Sequence, residues 1–165
     1  MDKTEVQAWV RDALVETHRK HEALWRLQVG ERAIVAQIFL QMSQTLPDRH
    51  WNLDSEYNRE GFGDIKLLRD GSMGSGPKRG VPDLIVHHRG ERGPEHNLLL
   101  LEFKLNDPEL SRASVDASKV ERWVDRFGYQ HGAAVSIGHS RGSFDPYWLW
   151  YSAEDRMPVR ETVLI

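Results

Sequence analysis

Asp83 follows Pro82, and after eighteen further residues come Glu102, Phe103 and Lys104. Glu102 and Lys104 are two apart, so a strand turns both side chains to one face. With Asp83 on the neighbouring strand of a hairpin, cross-strand spacing of about 5–8 Å brings its carboxylate to the same spot. Two carboxylates and one ammonium at one place suit phosphodiester hydrolysis. That reaction needs neutralised phosphoryl oxygens, an activated water and a stabilised leaving group. Mg²⁺ is a hard cation that usually takes one or two carboxylates together with waters and substrate phosphate. Asp83 and Glu102 would supply the carboxylates, and the Phe103 main-chain carbonyl a further oxygen. Mn²⁺ is the alternative ion. Such a cation polarises the phosphoryl group and makes water more acidic. Lys104 would orient or deprotonate the water, or stabilise the pentacovalent charge.

The competing reading of Glu102 and Lys104 is a solvated edge-strand face with an ion pair. Four leucines, Leu98–Leu101, come directly before them. Such a run marks a strand buried on both faces. Charges at the end of a buried strand are costly without a partner or a function.

The elements that must position these residues follow from hydrophobic period and punctuation. A first helix starts after Asp2, with Glu5 as its capping-box partner. Val6, Trp9, Val10, Ala13 and Leu14 keep a helical period. A second helix runs from about Glu31 to Met42, with Ile34, Val35, Ile38, Phe39 and Met42 as its core, and Pro47 stops it. Trp51–Tyr57 alternates as a strand, with Asn52, Asp54 and Glu56 on its polar face. Ile65–Arg69 is a further strand candidate. The glycine-rich stretch Asp70–Gly80 reads as an exposed loop. Val81–His88 and Leu98–Leu105 read as a hairpin. A helix from about Arg112 to Phe127 stops at Gly128. Gly132–Ile137 and Tyr147–Tyr151 are strands, and Val159–Ile165 is an edge strand or a loosely packed tail. This order predicts an α/β fold with one mixed sheet flanked by helices.

Length and charge agree. A chain of 165 residues is one domain's worth, read here as residues 1–165 with a helical extension over about 2–27. The net charge of −3 excludes a strongly basic nucleic-acid coat but not a local basic patch. The absence of cysteine excludes disulfides, thiol nucleophiles and thiolate metal sites. The charged N-terminus lacks an apolar signal region, and no apolar run is long enough for a bilayer. The expectation is a cytoplasmic protein without membrane contact.

Pro-Asp, eighteen residues, then Glu-x-Lys resembles the signature of the PD-(D/E)XK nuclease superfamily. The stretches GERAIVAQIF, DSEYNREG, VPDLIVHHRG, NLLLLEFKLN and VDASKVERW resemble, in the same order, small bacterial members of that superfamily. The resemblance spans about residues 30–137. It implies a restriction-endonuclease-like core with an extra N-terminal helix. It implies cleavage of nucleic acid, DNA ahead of RNA, by Asp83, Glu102 and Lys104 with Mg²⁺ or Mn²⁺. It also implies an acidic residue on the first core helix, which here is Glu31.

Other residues carry two readings each. Glu31 is a site carboxylate or a first-turn Glu favoured by the helix dipole. Glu56 points at the same site or at solvent beside Asp54. Asp116 and Lys119 stand i, i+3 on a helix, where pairing with each other is favoured over the alternative of a role in supporting the site. Lys78, Arg79 and Arg89 are candidate phosphate contacts or solvated charges. His87 shares a strand face with Asp83 and is a candidate to line the cleft. His87 and His88 face opposite ways, and His18 with His21 lacks a third ligand, so zinc is disfavoured. The tryptophans read as core. There is no P-loop, dinucleotide fingerprint or nucleophile elbow.

The expected function is metal-dependent nucleic-acid hydrolysis. The alternative is a catalytically silent module of the same fold that binds nucleic acid or protein. A homodimer through the helix over Asp2–Leu27 is expected, on the view that its aromatic and apolar positions are exposed.

Overall fold

A computed structural model describes residues 1–62, 64–66, 81–105, 115–140, 143–152 and 159–162. The helices are α1 (Lys3–Arg26), α2 (Glu31–Gln44) and α3 (Val115–Phe127). The strands are β1 (Asn52–Ser55), β2 (Arg59–Glu60), β3 (Asp64–Ile65), β4 (Leu84–His87), β5 (Asn97–Lys104), β6 (His131–Ser136), β7 (His139–Ser140), β8 (Ser143–Phe144), β9 (Tyr147–Ser152) and β10 (Val159–Thr162). Six of them form a mixed sheet in the order β1-β4-β5-β6-β9-β10. β2 pairs with β3, and β7 with β8, as separate two-stranded ribbons.

The α/β class, the mixed sheet and the flanking helices are as the sequence implies. The hairpin forms: β4 and β5 are antiparallel, with Leu84 opposite Leu101. β5 and β6 are parallel, with α3 between them in the chain. A parallel pair needs such a crossover.

Each leucine of β5 is fully buried, because helices cover both faces of the sheet. Leu99, Leu101 and Phe103 pack with Leu84, Val86, Ala133, Val135, Trp148 and Trp150 under α1 and α2. Leu100 packs with Ile85, Ala134 and Leu149 under α3, against Val120 and Trp123. By alternation along the strand, Glu102 and Lys104 fall on the α3 face.

α1 begins with the expected capping box. Asp2 Oδ1 accepts the Glu5 N–H at 2.9 Å, and Glu5 Oε2 accepts the Asp2 N–H at 2.9 Å. Its dihedrals break at His21 (φ −128°, ψ 27°), which kinks the helix. Val6, Trp9, Val10, Ala13, Leu14 and Trp25 are buried in the chain's own core. They are therefore not the exposed dimerisation face expected of this helix. The Trp25 indole donates to the Ile137 carbonyl at 2.6 Å, which pins the end of α1 beyond β6.

Two features seat α3. Gly128, at φ 67°, closes the helix, and its N–H donates to the Val124 carbonyl at 2.9 Å. Gly132 on β6 lies beneath it: a Cβ there would stand 2.6 Å from Val124 Cγ2 and 2.8 Å from Val120 Cγ1. The missing side chain lets α3 approach the sheet closely.

Several boundaries are tighter than the sequence suggests. The expected strand Trp51–Tyr57 is only Asn52–Ser55, and Glu56 follows at φ 48°. Its backbone turns away there, so Glu56 does not share a polar strand face with Asp54. The outer parts of the candidate strand Ile65–Arg69 and of the helix from Arg112 lie outside the described residues, as does the whole of the Asp70–Gly80 loop. Val159–Thr162 is an edge strand on β9. Among the described residues, no helix is long and apolar enough to cross a membrane.

Candidate active site

β5 runs on past the start of β4, whose pairing begins at Leu84 opposite Leu101. The outer edge of β5 at Phe103, and Leu105 just beyond the strand, therefore lack a strand partner on that side. Two carboxylates take the place of the missing strand. Asp83 Oδ2 accepts the Phe103 N–H at 2.7 Å. Glu31 Oε2 accepts the Leu105 N–H at 2.7 Å. Asp83 arrives from the residue just before β4, and Glu31 from the first turn of α2. A residue's N–H and C=O point to the same side of an extended strand. The Phe103 carbonyl thus faces the edge that Asp83 and Glu31 occupy, while the Phe103 ring is buried.

Glu102 and Lys104 meet α3. Glu102 is only 4% exposed. Lys119 Nζ lies 2.5 Å from Glu102 Oε1 and donates to the Val81 carbonyl at 2.8 Å. Lys104 is half-exposed, and its Nζ lies 3.5 Å from Asp116 Oδ2. Asp116 and Lys119 therefore reach across to the two charges of β5, contrary to the i, i+3 pair expected between them. The sign was available in the sequence: both lie beside the stripe of Ala117, Val120, Trp123 and Val124 that faces the sheet.

The cluster is electrostatically tense. Burial raises the pKa of Asp83; its bond from Phe103 and the nearby Lys119 oppose this, while Glu31 and Asp116 add to it. Glu102 is pushed up to about 8, first by burial and then by Asp83, against the pull of Lys119. Lys104 is raised, chiefly by Asp116. Its ammonium form is thereby favoured.

A cavity of about 330 Å³ opens beside Asp83. Val35, Phe39, Leu40 and Leu84 line it, with Glu31, Arg32 and Glu56 also in its wall. Arg32 Nη2 lies 3.9 Å from Glu56 Oε1. Glu31 and Glu56 thus join Asp83 around one groove, although Glu56 does so from a turn.

Other candidates lie elsewhere. His87 sits at the far end of β4, about 13 Å along the strand from Asp83 at about 3.3 Å per residue. It does not line the cleft with Asp83. Its Nε2 is 2.9 Å from Asp54 Oδ2, and burial lowers its pKa. Arg89 grips the same carboxylate: its Nε donates to Asp54 Oδ2 at 2.7 Å, and its Nη2 bonds Asp54 Oδ1. That bidentate pair compensates the charge offered for phosphate binding. Lys78 and Arg79 lie outside the described residues. His88 stacks on Trp51, and His18 on Phe144.

Sequence reasoning overlooked Lys66. Its ammonium is buried, donates to Asn97 Oδ1 at 3.1 Å and Tyr129 Oη at 3.0 Å, and lies 4.7 Å from the Tyr129 ring centroid. Nothing in a lone lysine beside Ile65 signals such a position.

Among the described residues, no group of three or more His, Asp or Glu side chains is set to hold a metal ion. The donors at the edge of β5 fit a smaller demand. Asp83 and the Phe103 carbonyl are hard oxygens at that edge and Glu102 is a third on the α3 face, the donor type that Mg²⁺ takes together with waters. Both carboxylates carry negative charge that burial disfavours, and a divalent cation would relieve it.

Comparison of the chain with protein-family models, with curated proteins and with solved structures finds no match in any of the three.

Proposed function

We propose that this chain is a divalent-cation-dependent nuclease of the PD-(D/E)XK type, on a restriction-endonuclease-like core, cutting nucleic acid and DNA ahead of RNA. One observation carries the reading: the Asp83 carboxylate is bonded to the main chain between Glu102 and Lys104, so both halves of the motif meet at one sheet edge. Asp83, Glu102 and the Phe103 carbonyl would hold the cation. Bound Mg²⁺ or Mn²⁺ supplies positive charge at the phosphoryl oxygens and makes water a better nucleophile near neutral pH.

The chain's own residues do the rest. Lys104 stays protonated beside Asp116. It is thus a donor that orients the attacking water and offsets charge on the pentacovalent phosphorus, not a base. Glu31 holds the outer edge of β5 in place through Leu105. The groove over Val35, Phe39 and Leu40 gives the substrate strand an apolar wall next to Asp83. Arg32, largely exposed at its rim, meets the phosphate backbone.

The test is cleavage of supercoiled, linear and single-stranded DNA and of RNA, with Mg²⁺, Mn²⁺ or chelator. Cleavage that needs metal and disappears in folded Glu102→Ala and Lys104→Ala variants is the expected result. Full cleavage by folded Lys104→Ala sinks the assignment.

A second reading has its own observation. Glu31, Asp83, Glu102 and Lys104 each already have a protein partner. A silent binding module of the same fold would be built that way. Calorimetry separates the two, because the module takes up neither Mg²⁺ nor Mn²⁺.

A further inference from the structure

Lys119 reaches the cleft from the second turn of α3, and its side chain is four-fifths buried. Its ammonium lies 2.5 Å from Glu102 Oε1 and donates to the Val81 carbonyl at 2.8 Å. These two acceptors belong to the two halves of the cleft. Glu102 is on β5, and Val81 stands two residues before Asp83. Lys104 makes a looser contact of 3.5 Å with Asp116 and is half-exposed. Lys119 is thus the closely held cation of this site.

A divalent cation bonds carboxylate oxygen at about 2.0–2.1 Å for Mg²⁺. An ammonium already 2.5 Å from the same oxygen opposes that approach by like-charge repulsion. Lysine has three donors on a flexible stem, and one is already spent on Val81. It can leave Glu102 without leaving the protein.

We propose that Lys119 is the internal counter-ion of the acidic cleft: it holds Glu102 in the metal-free chain, competes with a divalent cation for that carboxylate, and withdraws onto the Val81 carbonyl when the cation binds. This rests on reading Asp83 and Glu102 as a divalent-cation site. Lys119 is a positioning residue with a measurable signature. Losing a purely structural lysine would weaken metal binding or leave it unchanged, whereas losing a competitor strengthens it.

The test is titration of the full chain with MnCl₂ and with MgCl₂ in a calorimeter, paired with thermal unfolding with and without metal. Lys119→Gln keeps a donor for Val81 and removes the charge, Lys119→Met removes both, and Lys119→Arg keeps the charge. In Lys119→Gln, Mn²⁺ affinity is expected to rise about tenfold or more. Its metal-free Tm should fall at alkaline pH, where the ionised Glu102 loses its partner, and Mn²⁺ should restore it. Lys119→Met should follow Lys119→Gln, and Lys119→Arg should resemble wild type. Equal or weaker Mn²⁺ binding by folded Lys119→Gln overturns the proposal. If wild type still cleaves with metal in that case, only the counter-ion role falls. If wild type and variant both take up no cation and cut nothing, the cation-site reading falls as well.

Discussion

The Asp83 carboxylate accepts the backbone N–H of Phe103 at 2.7 Å, fastening the residue before β4 to the segment between Glu102 and Lys104. The same oxygen pair is asked to brace a strand end and to offer charge to a cation. These duties separate by substitution. Asp83→Asn keeps an oxygen acceptor for Phe103 and loses the charge. It should fold with a near-normal Tm and cut at least about a hundredfold more slowly, the scale of removing one electrostatic contributor. Asp83→Ala should in addition lose about 1–3 kcal/mol, because a partly buried N–H is left without its partner. Equal stability of the two variants in urea would show that the bond braces nothing.

Gly132 couples the core to the cleft. Gly132→Ala puts a methyl group 2.6 Å from Val124 Cγ2 and 2.8 Å from Val120 Cγ1. α3 must then shift, at a cost of about 1–3 kcal/mol for overpacking. Because Lys119 and Asp116 ride on α3, their contacts with Glu102 and Lys104 should loosen with it. Urea unfolding gives the stability loss, and Mn²⁺ calorimetry gives the effect at the cleft. A variant as stable as wild type would mean that α3 has room to spare above β6.

The sequence exposes some of these relationships and hides others for physical reasons. The β4–β5 hairpin and the shared face of Glu102 and Lys104 were legible because strand alternation is local and the leucine run is unambiguous. The capping box of α1 was legible because Asp2 and Glu5 are three residues apart. The bond from Asp83 to Phe103 depends on where β4 stops relative to β5, an offset that hydrophobic pattern does not encode. Helix spacing favours pairing Lys119 with Asp116 over the site-supporting alternative, whereas the partners of both lie across a tertiary contact. Glu56 was misplaced because alternation continues through it while the backbone turns to φ 48°. Arg89 reads as a free cation until folding brings Asp54 beside it.

The groove beside Asp83 makes a separable claim about substrate. Ala36 is exposed in its wall and takes no part in the charge cluster. Ala36→Trp should fill much of the cavity while leaving Asp83, Glu102 and Lys104 untouched. Substrate KM should rise about tenfold or more, equivalent to about 1.4 kcal/mol of binding, with Mn²⁺ affinity unchanged. Steady-state cleavage of a short labelled oligonucleotide gives KM, and calorimetry gives the metal affinity. An unchanged KM in the folded variant would place the substrate strand outside this groove.

Glu102 gives the chain a pH-dependent stability of known sign. Its pKa in the folded chain is about 8 against a reference value of 4.5, mainly through burial. Between those values the folded state holds a proton that the unfolded state releases. The stability contributed by that proton is complete below about pH 4.5 and is lost as pH rises through about 8. Asp83 is raised in the same direction. His131, lowered to about 4, works in the opposite sense in wild type and variant alike, so it cancels in their difference. Glu102→Gln cannot titrate. Relative to that variant, wild type should lose on the order of a few kcal/mol between pH 5 and 8.5 in metal-free urea unfolding. Saturating Mg²⁺ should shrink the loss, because cation binding requires the ionised carboxylate and so stabilises more at high pH. Parallel pH profiles for the two proteins would mean that Lys119 keeps Glu102 ionised throughout, and that its burial carries no titration in this range.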